Sequence, residues 1–239
     1  MSEPRIAAVV VAGGTGERLG MPGGKQLALV LGRPVLSWTL ASFDAAPQVE
    51  LIVVVCHPER VDEYCASAVD PFGIRTAVAF VPGGETRQAS VGRGLAAVPP
   101  SVEVVLVHDG ARPLVTPELI AGSLAALDSA EDADGVVVGY PAVDTLKIVS
   151  ERSVDETPNR TRYWAVQTPQ VFRAAALRAA YAAADRDGFL GTDDASLVER
   201  NGGRVVVFEG PRDNIKVTTA EDLVFVEAAL RFRESGDHA

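Results

Sequence analysis

A glycine-rich segment at residues 12–26 carries two cations, Arg18 and Lys25, and follows directly on the apolar run 6–12. Glycines let backbone N–H groups approach phosphate oxygens closely. Arg and Lys side chains stabilise the negative charge that develops on phosphoryl oxygens and on a leaving pyrophosphate. The segment therefore predicts transfer of a nucleotide phosphate, with Arg18 and Lys25 as the catalytic cations.

Two familiar phosphate-binding motifs do not fit this loop. The dinucleotide motif G-x-G-x-x-G would begin at Gly14 and Gly16, but Leu19 stands at its third glycine position. A P-loop would also need glycine at Leu19, and Ser or Thr where Gln26 stands. No acid follows the apolar run 51–56 at the usual ribose-binding distance. An NAD-dependent dehydrogenase is therefore disfavoured.

Two later segments are expected to form further walls of the same site. The segment 83–91 (GGETRQASV) opens a helix-like stretch, so Arg87 and Ser90 should lie near a helix N-terminus, which favours anionic or polar ligands. The segment 107–113 (VHDGARP) ends another apolar run. Beside a triphosphate, Asp109 could hold Mg²⁺, directly or through water, or bind a sugar hydroxyl.

Other polar residues have simpler interpretations. His108 is interpreted as a structural residue at a strand end. The segment 191–199 (GTDDASLVE) predicts a helix start with Thr192 as the cap and two acids in the first turn. Lys216 lies in an otherwise apolar setting, where a lysine needs an anionic partner.

The elements that must position these residues alternate along the chain. Short Val-rich runs, apolar on both faces, are typical of strands in a parallel sheet; they lie at 6–12, 51–56, 77–81, 103–107, 135–140 and 204–208. Stretches with helical spacing lie between them, at 34–46, 86–97, 116–130, 173–184 and 219–233. The alternation predicts an α/β fold with a doubly wound, mostly parallel sheet.

Residues 142–165 break this pattern, because polar and apolar residues alternate around a polar turn. We interpret them as a protruding β-arm inserted into one domain that spans residues 1–239. Two alternatives stay open at this point: the arm packs on its own domain, or it is exchanged with a second subunit.

The composition excludes several classes of function. A net charge of −10 argues against binding a nucleic-acid polymer, but not against binding one nucleotide. No apolar run approaches the ~18 residues of a membrane span, and the N-terminal run leads into glycines rather than a cleavage site. Cys56 and Cys65 cannot form a disulfide framework. We expect a cytoplasmic protein.

The run A-G-G-x-G-x-R-L-G…K-Q resembles the signature of sugar-nucleotide pyrophosphorylases and cytidylyltransferases. It is similar most of all to the 2-C-methyl-D-erythritol 4-phosphate cytidylyltransferase family of the non-mevalonate isoprenoid pathway, and the resemblance extends over residues 7–223. The resemblance implies a Rossmann-like nucleotidyltransferase fold and transfer of CMP from CTP to that sugar-alcohol phosphate with release of pyrophosphate. It also implies Mg²⁺ as cofactor and a homodimer formed through the arm.

The resemblance further implies roles for individual residues. The matching nucleotide-binding positions are Ala12, Gly13, Gly14, Gly16, Gly83, Glu85, Arg87, Ser90, Asp109 and Gly110. The matching acceptor-binding positions are Asp109, Arg112, Thr145, Arg160, Thr168, Thr192 and Lys216, of which Arg160 would reach the substrate of the partner subunit. The chain departs from the family at Gly110, where Ala is usual, and at Gly23-Gly24, where Pro commonly precedes the Lys-Gln pair.

Two alternatives to the methylerythritol phosphate cytidylyltransferase assignment remain. Ribitol 5-phosphate cytidylyltransferases share the fold and reaction and tend to have A-G-G in the first loop, but Ser90 and the run 192–196 (TDDAS) look more like the methylerythritol enzymes. A non-catalytic nucleotide-binding regulator on the same fold would be expected to lack the pair Arg18 and Lys25.

Overall fold

The computed structural model describes residues 3–14 and 24–235, so two of the predicted site residues, Gly16 and Arg18, lie outside the described residues. The strands are β1 (Ile6–Val11), β2 (Leu29–Val30), β3 (Arg33–Pro34), β4 (Leu51–Cys56), β5 (Ala77–Pro82), β6 (Val104–Asp109), β7 (Gly135–Pro141), β8 (Ile148–Ser150), β9 (Ser153–Glu156), β10 (Trp164–Arg173) and β11 (Val205–Glu209). The helices are α1 (Val35–Asp44), α2 (Val61–Tyr64), α3 (Arg87–Ala97), α4 (Pro117–Ser129), α5 (Ala174–Asp187), α6 (Asp194–Arg200) and α7 (Ala220–Glu234).

A seven-stranded sheet with the order β11-β7-β10-β6-β1-β4-β5 forms the centre of the fold. Every pairing is parallel except those of β10, which runs antiparallel to both of its neighbours. All six predicted Val-rich runs are strands of this sheet. This confirms the predicted doubly wound, mostly parallel α/β fold.

The sheet is covered on both faces, as the two-sided apolar runs predict. On one face Ala8 and Val10 of β1 pack in a core with α1 and α4. On the other face Ala7 and Val9 pack in a core with α3, α5 and α6. A smaller core beside the sheet joins α7, through Val226, to the β2–β3 ribbon. None of the helices in the described part of the chain has the length and apolar character that a bilayer crossing requires.

The inserted segment is shorter than its sequence pattern suggests. Strands β8 and β9 form a separate two-stranded antiparallel ribbon, which agrees with a hairpin-like arm in 142–165. The last two residues of that range already belong to β10, in the middle of the large sheet. Polar residues obscure the strand pattern of β10: Gln167, Thr168 and Gln170 are at most 4% exposed and are satisfied by hydrogen bonds rather than by water.

The prediction that Thr192 caps a helix is wrong by one residue. Helix α6 begins at Asp194 and its cap is Asp193, whose carboxylate accepts a hydrogen bond from the backbone N–H of Ser196 at 2.9 Å. The Ser196 hydroxyl in turn accepts from the Asp193 N–H, which completes a capping box. Thr192 lies one residue before the cap.

His108 joins β6 to β10 inside the core. Its Nδ1 lies 3.1 Å from the Thr168 hydroxyl, which accepts the backbone N–H of Asp109 at 3.1 Å. The hydroxyl proton is then available to His108 Nδ1, and Nε2–H faces the Arg112 carbonyl at 3.4 Å. The ring also meets Phe43 edge-on at 5.1 Å between centroids. Complete burial lowers the pKa of His108 to about 3, so the ring stays neutral in the folded protein.

This buried histidine predicts a loss of stability in mild acid. The unfolded chain takes up a proton near pH 6.5, whereas the folded chain takes it up only near pH 3, so stability rises with pH across that window. Lowering the pH from 7 to 5 should cost about 2 kcal/mol through His108 alone. Urea unfolding at both pH values should show a smaller acid loss in His108→Gln than in the wild type. The exposed His57 gives the matched control His57→Gln, and an equal acid loss in all three proteins would refute the prediction.

Helix α3 lies so close to the sheet that one of its glycines has no room for a side chain. A Cβ on Gly94 would lie 2.5 Å from Val9 Cγ1 and 2.7 Å from Val55 Cγ2, both within the packed core. A Cβ on Gly92, half a turn away, would meet Tyr181 at an ordinary 3.5 Å.

The two glycines therefore predict opposite responses to the same substitution. Gly94→Ala should destabilise the protein by about 1–3 kcal/mol through overpacking. Gly92→Ala should stabilise it by up to about 1 kcal/mol, because alanine is the better helix former. Urea unfolding of both variants measures the difference, and a stable Gly94→Ala variant would show that the helix can move off the sheet.

Candidate active site

Two adjoining pockets open at the carboxyl ends of the parallel strands beside β1, where the strand order reverses: the chain adds β4 and β5 on one side of β1 and then crosses to β6 on the other side. Ligands of α/β sheets bind at such a switch point. The first, the glycine pocket, has a volume of about 310 Å³ and is lined by Val11, Gly13, Gly14, Lys25, Gln26, Gly84, Glu85, Thr86, Arg87, Ser90, Asp109, Ala111 and Lys216. The second, the β10 pocket, is lined by Arg87, Asp109, Arg112, Trp164, Val166, Gln167, Thr168, Gln170, Thr192, Asp193 and Lys216.

Asp109 stands between the two pockets at the end of β6 and is only 7% exposed. Its Oδ2 lies 2.9 Å from Lys216 Nζ and 3.5 Å from Arg112 Nε, and its Oδ1 lies 3.4 Å from Arg87 Nε. Burial by itself would raise the pKa of Asp109, but Lys216 and Arg87 outweigh it and hold that pKa far below its usual range. The carboxylate is therefore charged and surrounded by three cations.

Arg112 and Lys216 come from segments that are tied to each other. Arg112 Nη1 donates to the Asn214 carbonyl at 2.7 Å, and the N–H of Val217 donates to the Ala111 carbonyl at 2.8 Å. Asn214 is itself buried and donates to the Thr168 carbonyl on β10. Burial lowers the pKa of Arg112, against the opposing effect of Asp109. Asp109 is thus the anionic partner of Lys216 in this structure, whereas the partner that the resemblance implies is the phosphate of the acceptor.

The turn before α3 forms one wall of the glycine pocket, as the segment 83–91 predicts. Thr86 caps the helix by accepting the N–H of Ala89 at 3.0 Å. Ser90 accepts the N–H of Gly84 at 3.0 Å, and the N–H of Gly83 donates to the Cys56 carbonyl. Ser90 therefore fixes the shape of the turn, while Arg87 at the helix N-terminus extends to Asp109.

The residue that follows β1 is held in place by hydrogen bonds on both of its backbone groups. The Ala12 N–H donates to the Val55 carbonyl at 2.7 Å, and the Tyr64 hydroxyl donates to the Ala12 carbonyl at 3.1 Å. Beyond it, Gly24 has a φ of 72°, which the proline of the resembled family, locked near −65°, cannot adopt. The chain therefore takes a different backbone path immediately before Lys25 from the one that a proline would impose.

Gly110 does not line either pocket. Its N–H donates to the Val11 carbonyl at 2.9 Å, and its carbonyl accepts the Thr39 hydroxyl at 3.2 Å. A Cβ there would lie 3.0 Å from Leu36 Cδ1 and 3.1 Å from the Val11 carbonyl oxygen. Glycine at this position allows the turn after β6 to pack closely against β1, which supports the pocket from beneath.

The structure brings together most of the predicted site residues. Around the two pockets it gathers Gly13, Gly14, Lys25, Glu85, Arg87, Ser90, Asp109, Arg112, Thr168, Thr192 and Lys216. Ala12 and Gly83 flank them through backbone hydrogen bonds. Thr145 and Arg160 line neither pocket: both are exposed on the arm, where Arg160 donates to the Val143 carbonyl at 2.6 Å.

Two buried side chains in or next to the site were not among the residues predicted from the sequence. Gln26 is 2% exposed and lines the glycine pocket, and its Oε1 has no hydrogen-bond partner. Asp194 is 1% exposed beneath Arg87, with Arg87 Nη2 at 2.8 Å from its Oδ2. The Lys-Gln pair was a usable signal for Gln26. Asp194 had none, because acids at a helix start are explained without any ligand.

The residues around the two pockets suit a metal ion that is held by one carboxylate together with substrate phosphates. Within residues 3–14 and 24–235 there is no cluster of three or more His, Cys, Asp or Glu side chains that could hold a metal. Asp109 is a single charged carboxylate that lines both pockets. Mg²⁺ is commonly bound by one or two carboxylates together with substrate phosphates, and that is the arrangement this site fits.

Comparisons with known protein sequences agree over nearly the whole chain. The family model of 2-C-methyl-D-erythritol 4-phosphate cytidylyltransferase matches residues 6–232. An enzyme of that name from Syntrophotalea carbinolica is 43% identical over 227 residues, covering 94% of this chain and 96% of that protein. Another from Geotalea uraniireducens is 45% identical over 230 residues, covering 95% of this chain and 97% of that protein.

Solved structures give the same result. A 4-diphosphocytidyl-2C-methyl-D-erythritol synthase from Anaerococcus prevotii aligns with a TM-score of 0.83 at 32% identity, over 95% of this chain and 98% of that chain. The 2-C-methyl-D-erythritol 4-phosphate cytidylyltransferase of Thermus thermophilus aligns with a TM-score of 0.72 at 36% identity, over 93% of this chain and 98% of that chain. The chain belongs to the 2-C-methyl-D-erythritol 4-phosphate cytidylyltransferase family.

Proposed function

We propose that this protein transfers CMP from CTP to 2-C-methyl-D-erythritol 4-phosphate, giving 4-diphosphocytidyl-2-C-methyl-D-erythritol and pyrophosphate. The observation that carries this proposal is the pair of adjoining pockets that share Asp109, Arg87 and Lys216. One pocket is suited to a nucleotide and the other to a second anion, and cations stand between them.

CTP occupies the glycine pocket in this proposal. The backbone around Gly13 and Gly14 leaves space for phosphate oxygens. Glu85, Arg87 and Ser90, which the resemblance matches to nucleotide-binding positions, line the same pocket. Lys25 lines the same pocket, and with Arg18 it stabilises the charge that develops at the α-phosphate and on the leaving pyrophosphate.

The acceptor occupies the β10 pocket, where Arg112, Lys216 and Thr192 can hold its phosphate. Thr168 lines this pocket, but its hydroxyl already bonds Asp109 N–H and His108. We therefore assign Thr168 to positioning Asp109 as well as to acceptor contact.

The reaction is a single displacement at phosphorus. A phosphate oxygen of the acceptor forms a bond to the α-phosphorus of CTP as the bond from that phosphorus to the bridging oxygen of pyrophosphate breaks. A phosphate monoester is already a nucleophile, so no strong base has to remove a proton. Positioning and charge stabilisation by the surrounding cations then provide most of the rate enhancement.

Mg²⁺ is the proposed cofactor, held mainly by the CTP phosphates with Asp109 as the protein ligand. When bound, the ion neutralises triphosphate charge and orients the leaving group. Lys216, Arg87 and Arg112 keep Asp109 ionised, so that the carboxylate is available without first losing a proton.

The exposed arm supports a homodimer. Thr145 and Arg160 line neither pocket of their own chain. The arm and the strand ends beside it expose apolar side chains that water solvates poorly: Val143, Ile148, Val149, Val154 and Tyr163 are 43–55% exposed. We propose that the arm packs on a second copy and that Arg160 reaches the β10 pocket of that copy. We also propose a cytoplasmic setting, with which the two free cysteines are consistent.

The first experiment is pyrophosphate release from CTP and Mg²⁺ with either 2-C-methyl-D-erythritol 4-phosphate or ribitol 5-phosphate. Release with the first acceptor alone is expected, and EDTA should abolish it. Release with ribitol 5-phosphate alone would keep the chemistry and overturn the acceptor. CTP binding without turnover on either acceptor would instead favour a nucleotide-binding regulator.

In the same assay, Lys25→Ala should lower kcat/KM by roughly 100- to 1,000-fold, the usual loss when a group that stabilises transition-state charge is removed. The control is Arg75→Ala, which removes a cation whose side chain is 87% exposed. Arg75 precedes the amino end of β5, whereas the pockets open at the carboxyl ends of the strands. Near-normal turnover by Lys25→Ala would overturn the role of Lys25.

Mixed dimers test the exchanged arm. Lys25→Ala and Arg160→Ala should each be nearly inactive alone, but an equal mixture should regain about a quarter of wild-type turnover. Half of the dimers are then mixed, and each mixed dimer holds one intact site. The control mixture of Lys25→Ala with Lys216→Ala should regain nothing, since both residues belong to one chain's pocket. Failure of the first mixture to recover, or a monomer in light scattering, would rule out the exchange.

A further inference from the structure

Asp194 is a buried carboxylate directly behind the proposed active site, and it lines neither pocket. It is the first residue of α6 and is 1% exposed. Its Oδ1 accepts the Tyr181 hydroxyl at 2.5 Å, and its Oδ2 lies 2.8 Å from Arg87 Nη2. Burying a charge at this depth is costly unless it is paired, so the pairing with Arg87 and Tyr181 is what makes the position tolerable.

Arg87 is held between two carboxylates. Its Nη2 meets Asp194, while its Nε lies 3.4 Å from Asp109. Burial would lower the pKa of Arg87, but Asp194 and then Asp109 outweigh it and raise that pKa above the ordinary arginine value. Burial and the same carboxylate raise the pKa of Tyr181, so its hydroxyl remains a donor to Asp194. The planar guanidinium is therefore fixed in orientation on two sides.

The start of α6 cannot easily move away from this arrangement. Gln170 of β10 donates to Asp193 at 2.7 Å and accepts the N–H of Ala195 at 3.2 Å. On the other side, Gln88 of α3 accepts the N–H of Gly191 at 2.9 Å. The segment that carries Asp194 is thus joined to both β10 and α3, the elements that form the walls of the two pockets.

We propose that Asp194, supported by Tyr181, is a positioning residue that holds Arg87 in place for the nucleotide. Without the Asp194 carboxylate, Arg87 would turn towards Asp109, where it would compete with Lys216, or towards solvent. CTP would then have to reorder the arginine as it binds. The inference rests on the proposed function, because it assigns Arg87 to the nucleotide.

The test is a double-mutant cycle on CTP affinity. Asp194→Asn keeps the shape of the side chain and removes its charge. It should weaken CTP binding in isothermal titration, and raise KM for CTP, by about tenfold or more, while kcat changes less. In an Arg87→Met background the same substitution should have no further effect on CTP binding, because the group that it positions is gone.

Two further variants keep the test decisive. Asp128→Asn makes the same charge change at an exposed position of α4 and should leave CTP binding unchanged. Tyr181→Phe should also weaken CTP binding, but by less than Asp194→Asn. If Asp194→Asn does not fold, Tyr181→Phe replaces it in the double-mutant cycle with Arg87→Met. An Asp194→Asn effect that persists in Arg87→Met, or wild-type CTP affinity in Asp194→Asn, would overturn the inference. Absence of turnover in the wild type would instead overturn the proposed function.

Discussion

The charge on one buried carboxylate organises the site. An ionised carboxylate removed from water costs several kcal/mol unless cations compensate for it. Asp109 is compensated from three separate parts of the chain: Arg87 at the start of α3, Arg112 in the turn after β6, and Lys216 in the segment before α7. These segments must therefore converge for the folded state to be stable. Their convergence also leaves a cluster of cations where two anionic substrates would meet.

Strand β10 contributes the second half of this arrangement. As the antiparallel strand of an otherwise parallel sheet, it brings side chains with donors and acceptors into the core beside β6. Thr168 holds the Asp109 backbone and the neutral ring of His108, and Gln170 holds the start of α6. A buried polar network of this kind is stable only when its members are satisfied, so it fixes the wall of the β10 pocket rigidly. Rigid walls suit a reaction that depends on positioning.

The arm gives the molecule a different kind of surface. It carries apolar side chains to solvent and holds Arg160 away from the pockets of its own chain. Within one chain that exposure costs free energy, and the proposed dimer would offset it by covering the arm. In that dimer both chains would contribute residues to each acceptor site, whereas the glycine pocket and Asp109 would come from one chain alone.

The amino-acid sequence by itself determined the strand runs, the covering of the sheet on both faces and the family, because apolar periodicity and glycine-rich turns are local signals. Motifs at strand and helix ends also placed Arg87 and Asp109 in the site, whereas Lys216 was placed there by the family resemblance. Only the tertiary structure showed β10, whose buried Gln167 and Gln170 look like surface residues until their hydrogen-bond partners are known. The role of Asp194 depended in the same way on Tyr181 and Arg87, 13 and 107 residues distant in sequence. Burial of a polar group is decided by its partners, and partners this far apart meet only in the folded chain.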